Sequence, residues 1–134
     1  MIRKIVLLSF GLLAVAGCAG GNNSGKEQTR TIAHRGYWKS EGSHENTLSS
    51  LKNAMALGIY GSEFDVWITA DSVPVVFHDE KTAGGTTIEE ATLEQLRTEA
   101  DTLPNGEMIP TLAEYLETWN HDPIRLILEI KTHR

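Results

Sequence analysis

Cysteine is nearly absent from this chain, basic charge is scarce, and no apolar run reaches the length of a comfortable membrane span. A single Cys among 134 residues excludes an intramolecular disulfide scaffold and a zinc cluster built from cysteines. Twelve Lys and Arg stand against eighteen Asp and Glu, a formal charge of -6, with no basic run. That balance excludes a nucleic-acid binder, which needs a Lys/Arg stripe to neutralise phosphates. Internal repeats are absent, as is any low-complexity tract beyond one short tether. What is present is a hydrophobic fraction of 40%, the composition of a folded chain, and a length that allows one domain.

The amino terminus reads as a targeting segment. Arg3 and Lys4 form a positive start, Ile5 to Val15 is apolar, and Val15-Ala16-Gly17-Cys18 follows as a small-residue cleavage site ending in Cys. The apolar run falls short of the about 20 residues that cross a bilayer. The arrangement resembles a bacterial lipoprotein signal, which is cut before the Cys so that the Cys can be lipidated. On this reading residues 1–17 are the signal peptide, 18–29 are the lipidated Cys18 and a flexible tether rich in Gly, Asn and Ser, and 30–134 are the folded domain. An ordinary secretory signal with an incidental Cys is the alternative; both readings export the protein, and the lipidated one anchors it at the bacterial cell envelope. Loss of Arg3 and Lys4 leaves the mature chain more acidic still, so lipid rather than charge is expected to attach it.

From Thr31 onward short β-rich runs alternate with helical patterns, the signature of a parallel α/β sheet. Ile32-Ala33-His34 is a strand end, Phe64 to Thr69 a second strand, Val73 to Phe77 a third and Arg125 to Ile130 a fourth. Leu48, Leu51, Met55 and Leu57 recur at near-helical spacing, with Gly58 where the helix would stop. Thr92-x-x-Gln95 and Thr111-x-x-Glu114 match the capping box, in which a Thr hydroxyl and a side chain three residues on satisfy each other's backbone N–H.

The ionisable residues cluster at strand ends. His34 ends the first run, Glu63 and Asp65 lie on the second, His78 ends the third, and Glu129 and Lys131 end the fourth. Strand side chains alternate, so Glu63 and Asp65 share one face while Phe64, Val66 and Ile68 point to the other, towards packing helices. Glu129 and Lys131 likewise share a face. In a closed parallel barrel such residues project from the C-terminal strand ends, where barrel enzymes build their sites. A Glu-x-Asp pair alone reads equally as an exposed edge. Three converging carboxylates, however, need a cation, and an all-oxygen set suits Mg²⁺ or Ca²⁺ rather than Zn²⁺. Two histidines beside that metal could act as acid and base, and Arg35 and Lys131 could hold an anionic phosphate. His44, His121 and His133 lack strand-end placement and read as structural or exposed.

Ala33-His34-Arg35-Gly36, Glu45-Asn46-Thr47, Glu63-Phe64-Asp65, Pro74-Val75-Val76-Phe77-His78-Asp79, Ile109-Pro110-Thr111-Leu112-x-Glu114 and Glu129-Ile130-Lys131 follow one another in that order. Together they resemble the glycerophosphodiester phosphodiesterase family across residues 31–131. The resemblance implies a TIM-type (β/α)8 barrel that hydrolyses a small-molecule glycerophosphodiester to glycerol 3-phosphate and an alcohol, with a divalent metal. It also implies that His34 and His78 are the acid and base and that Glu63, Asp65 and Glu129 hold the metal. Arg35 and Lys131 would lie near the phosphate, and Glu45 in or next to the metal shell. In the implied mechanism one His helps the neighbouring glycerol hydroxyl attack phosphorus. The other protonates the departing alcohol, and water then opens a cyclic phosphate.

Two departures stand out. The loop Glu80-Lys81-Thr82-Ala83-Gly84-Gly85-Thr86-Thr87 carries Lys81 where the family usually has an Arg. A closed eightfold barrel takes about 250 residues, at least about 200, so the chain is expected to hold roughly the first four strands of one. The reading favoured is the N-terminal half of a longer protein; two copies completing a barrel is the other. A catalytically inert lipid-anchored fragment or binding module, and a phospholipase-C-like barrel acting on lipid headgroups, remain alternatives.

Overall fold

The computed structural model describes residues 29–98 and 102–131. The signal segment, Cys18 and His133 lie outside the described residues. Four strands and three α-helices follow in the order β1 (Ile32–Ala33), α1 (Leu48–Ala56), β2 (Gly61–Ile68), β3 (Pro74–Val76), α2 (Leu93–Leu96), α3 (Leu112–Trp119) and β4 (Arg125–Ile130), with a 3-10 turn at Ile88–Glu90 before α2.

The sheet is built around β2. It pairs in parallel with β1, Ile32 opposite Gly61, and in parallel with β4 from Gly61 opposite Arg125 to Val66 opposite Ile130. The expectation of a wholly parallel sheet fails at β3, which pairs antiparallel to β2, Val66 opposite Val76 and Ile68 opposite Pro74. The reason is chain length: a parallel return needs a crossover of a dozen or more residues, whereas Thr69 to Val73 closes as a tight hairpin. In that turn Thr69 N–H donates to the Val73 carbonyl, 3.0 Å, and Ser72 takes a positive φ. The Glu63 and Asp65 carbonyls accept from Gly36 and Phe77 along one edge of β2, while the Val66 carbonyl accepts from Lys131 on the other. β3 therefore sits beyond β1 on the same edge and carries His78 back to the level of Asp65.

Helices start where capping boxes permit. Thr47, Thr92 and Thr111 each cap a helix with both halves of the box formed, α1 using Ser50 as its third residue. Gly58 takes φ +59° just after α1, a conformation that costs a side chain about 1–2 kcal/mol. The alternation of β2 then separates two cores. Phe64 and Val66 face α1 and α3, meeting Leu51, Ala54, Tyr115 and Ile124, and the Phe64 and Tyr115 rings stack at 4.6 Å. Trp67 faces the opposite way and packs with Val75, Ile88, Leu96 and Ile109 under the hairpin and α2. Ile68, expected against the helices, is instead 46% exposed, because β2 there has run past the helix layer into the hairpin. At Gly61 a Cβ would lie 2.7 Å from the Arg125 carbonyl, so the close approach of β2 to β4 requires glycine.

α3 is tied at its start through Glu114. Glu114 accepts from the Thr111 N–H at 2.7 Å and hydroxyl at 2.9 Å, and Arg97 donates to the same oxygen. The Arg97 hydrogen bond, opposed by burial and helped by Thr111, holds the Glu114 carboxyl below the ordinary glutamate range. A depressed folded value stabilises fully above the unfolded one and is lost as pH falls through the folded one. Thr111→Ala is therefore expected to cost about 1 kcal/mol in urea melts at neutral pH. Glu114→Gln should show a shallower loss of stability than wild type as pH is lowered through the carboxylate range.

Candidate active site

The register of β2 and β4 sets the site. Asp65 is directly opposite Glu129, and Glu63 lies two residues back on the same face of β2. One oxygen from each of Glu63, Asp65 and Glu129 falls within 4.8 Å of the others. Asp65 is 1% exposed, whereas the Glu129 side chain is 56% exposed. The site thus has a buried floor and an open side.

Burying a carboxylate requires donors and positive charge around it. Asn46 gives Asp65 the closest fit: its Nδ2 donates to Asp65 Oδ2 at 2.8 Å, and the Asp65 N–H donates to Asn46 Oδ1 at 3.2 Å. Lys131 Nζ lies 2.9 Å from Asp65 Oδ1 and donates to Glu129 at 2.5 Å. Arg35 Nε stands 3.8 Å from Asp65 Oδ2, and its Nη1 donates to Glu45 at 3.0 Å. Burial alone would lower the Lys131 amine, but the bonds to Glu129 and Asp65 outweigh it and hold the amine above its ordinary value.

The loop after β1 supplies the rest. Arg35 takes φ 57° and Gly36 φ 78°, and a Cβ on Gly36 would lie 2.3 Å from Ser50 Oγ. Only glycine fits there, which accounts physically for the His-Arg-Gly turn. The turn aims the Arg35 N–H at Glu63, 2.9 Å, and places His34 Nε2 3.8 Å from the same oxygen, with the His34 side chain 70% exposed. His78 is fixed at the end of the hairpin, where Trp67 Nε1 donates to its carbonyl at 3.2 Å. Its Nδ1 pairs with Asp79 at 2.6 Å, which leaves Nε2 to exchange a proton. A cleft of about 230 Å³ opens beside this ring, lined by His44, Glu45, Asn46, Phe77, His78 and Lys81 among others.

The donor set fits a hard divalent cation. All three clustered groups are carboxylates. Glu63 Oε1 is buried with no hydrogen-bond partner, the kind of atom that needs a ligand. Glu45, Glu63, Asp65 and Glu129 also outnumber Arg35 and Lys131, an excess of two negative charges. The acidic group can therefore hold a metal ion.

Residues 34–132 match the family model for the glycerophosphoryl diester phosphodiesterase family. The chain belongs to this family. It is 37% identical over 114 residues to a glycerophosphodiester phosphodiesterase of Caldanaerobacter subterraneus, covering 78% of this chain and 46% of that protein. It is 36% identical over 124 residues to bovine glycerophosphodiester phosphodiesterase 1, covering 81% and 35%. Among solved structures, a glycerophosphodiester phosphodiesterase from Parabacteroides distasonis shares 48% identity at a TM-score of 0.73, covering 78% of this chain and 43% of that one. An Oleispira antarctica phosphodiesterase in complex with the product sn-glycerol-3-phosphate shares 36% identity at a TM-score of 0.65, covering 77% and 44%. The chain spans less than half the length of these relatives. Its partial sheet aligns with members of a family whose fold is the TIM-type barrel.

Set against the family motifs, Glu63, Asp65 and Glu129 come together as one cluster, with Arg35 and Lys131 as its cations. Glu45 is not one of the three clustered carboxylates and lies next to them, bound to the Arg35 that borders Asp65. His44, read from the sequence as structural or exposed, lines the cleft with His78, and so does Lys81. Sequence reasoning assigned no role to Asn46 or Asp79. The signal for Asn46 was its place before a Thr cap, where its φ of 56° suits Asn better than most residues; for Asp79 it was adjacency to His78. Asn46→Ala leaves Asp65 buried with two bonds lost, and should cost about 3 kcal/mol in denaturant melts, whereas Glu45→Ala, part-exposed, should cost under about 1 kcal/mol.

Proposed function

We propose that the protein is a metal-dependent phosphodiesterase that hydrolyses glycerophosphodiesters to glycerol 3-phosphate and an alcohol. The observation that supports this most strongly is the carboxylate cluster of β2 and β4, with Phe77 N–H bonded to the Asp65 carbonyl and the next residue, His78, paired with Asp79. Glu63, Asp65 and Glu129 would hold Mg²⁺ or Ca²⁺, which when bound supplies positive charge to stabilise the phosphoryl oxygens. Arg35 and Lys131 border the same place, Arg35 with a planar fork and Lys131 as a point charge suited to a phosphate.

His34 and His78 form the acid and base pair. One takes the proton from the glycerol hydroxyl next to the phosphate as that oxygen attacks phosphorus. The other donates a proton to the departing alcohol oxygen as its bond to phosphorus breaks. Water then adds to the cyclic phosphate with the proton flow reversed, giving glycerol 3-phosphate. The need for a vicinal hydroxyl accounts for a glycerol headgroup. Asp79 orients His78 through the contact at its Nδ1, fixing which ring nitrogen faces the substrate. The leader reading adds that the domain is exported and held at the cell envelope by a lipid on Cys18.

The test is release of glycerol 3-phosphate from glycerophosphocholine by the full chain with Ca²⁺, Mg²⁺ or chelator, beside intact phospholipid as substrate. Expected is metal-dependent turnover of the soluble diester, lowered about 10²–10⁴-fold by His78→Ala. Turnover of phospholipid alone would favour the phospholipase-C-like reading. No turnover by a folded chain that contains metal would favour the inert member of the family.

A further inference from the structure

The opposite end of the sheet carries chemistry that phosphodiester hydrolysis does not use. Tyr60 immediately precedes β2, and its backbone is clamped by both neighbours: its N–H donates to the Thr31 carbonyl at 3.1 Å, and its carbonyl accepts from Arg125 at 3.0 Å. Over its ring lie two guanidinium groups, those of Arg30 and Arg125, each 4.5 Å from the centroid. Arg30 also donates to the Tyr60 hydroxyl at 2.7 Å. Neither arginine has an acidic partner among the described residues, and both are exposed. The acid on this end, Asp122, instead accepts from the Ile124 N–H at 3.0 Å. Leu57, which follows α1 at the same end of the sheet, is 52% exposed.

Two cations ordered on one aromatic ring have already lost much of the side-chain freedom that binding would otherwise remove. Their remaining N–H groups match the fork geometry of phosphate oxygens. A tyrosine flanked by arginines, with an exposed leucine nearby, is the residue set of a membrane interface. The chain enters the folded domain at Arg30 itself, and the sequence reading places a lipidated Cys18 just upstream, across the Gly20 to Thr29 tether. Glu63 and Asp65 lie three and five residues along β2 from Tyr60, roughly 10 and 16 Å, and Glu129 is opposite Asp65, so the carboxylates lie up the strand from the patch.

We propose that Arg30, Tyr60 and Arg125 form a docking patch for anionic phospholipid headgroups, which seats the strand N-terminal end of the domain on the membrane and turns the catalytic end away from it. The patch sets orientation; the acidic balance of the whole chain opposes general adsorption. The inference does not depend on the phosphodiesterase reading, since it uses none of the residues of that site.

The test is partition of the full chain onto vesicles of phosphatidylcholine alone and of phosphatidylcholine with phosphatidylglycerol, so that any contribution of the leader's apolar run is common to both. Phosphatidylglycerol is expected to strengthen partition, and Arg30→Ala and Arg125→Ala are each expected to reduce that gain about fivefold. High salt should abolish it. Circular dichroism melts check that the variants fold, and Arg30→Glu, at an exposed position before β1, gives a second reading with the sign of the charge reversed. No gain from phosphatidylglycerol would overturn the proposal. So would a gain that survives in a chain carrying both Arg30→Ala and Arg125→Ala, which would assign it to cations elsewhere in the chain.

Discussion

Asp65 sits in the middle of β2 at 1% exposure, and an isolated charge in that position would be expensive enough to be neutralised or expelled. The rest of the site can be understood as the set of groups that make its ionised form tolerable. Asn46 closes a two-bond ring on it, Lys131 reaches it from the end of β4, and Arg35 stands behind. Each of these comes from a different segment, so the carboxylate links the turn after β1, the entrance to α1 and the end of β4. The two cores hold that arrangement rigid: Phe64 locks β2 to α3 from one face, and Trp67 locks it to the hairpin from the other. Because the acids near Asp65 outnumber the cations, the same frame that makes the burial tolerable also favours a divalent ion.

Much of this was legible in the sequence, for local reasons. The capping boxes at Thr92 and Thr111 appear as read, since a cap depends on four consecutive residues and little else. β4 has the expected bounds, Arg125 to Ile130, and the alternation of Glu63, Phe64, Asp65 and Val66 sorts as strand geometry demands. The direction of β3 is not legible because a run such as Val73 to Phe77 carries no mark of its partner's sense; only the shortness of the preceding turn does. The hairpin then altered the fate of Ile68 and of His78, both of which depend on how far β2 outruns the helices. Asn46 was hidden for a different reason. Its role is a contact across 19 residues, and nothing in a lone Asn before a helix states which buried group it will meet.

The molecule has two unlike ends. Along the middle of β2 and at the end of β4 lie the carboxylates and the cations that offset them, with the cleft beside His78. At the other end lie Arg30, Tyr60 and Arg125. The parallel strands β1, β2 and β4 create such polarity by themselves, because each contributes the same end to the same side, while the antiparallel β3 does not. β4 presents Leu128 and Ile130 at 42% and 69% exposure.

The account rests on the claim that Glu63, Asp65 and Glu129 are a cation site prepared by the fold, and calorimetric titration of Mg²⁺ and Ca²⁺ into the folded chain tests it most directly. Glu129 is the ligand to vary, because its exposure makes Glu129→Gln harmless to folding. The account predicts one ion bound per chain, with affinity lowered at least about tenfold in Glu129→Gln. Folded wild-type chain that binds neither ion, or a Glu129→Gln variant that binds as tightly as wild type, would contradict it.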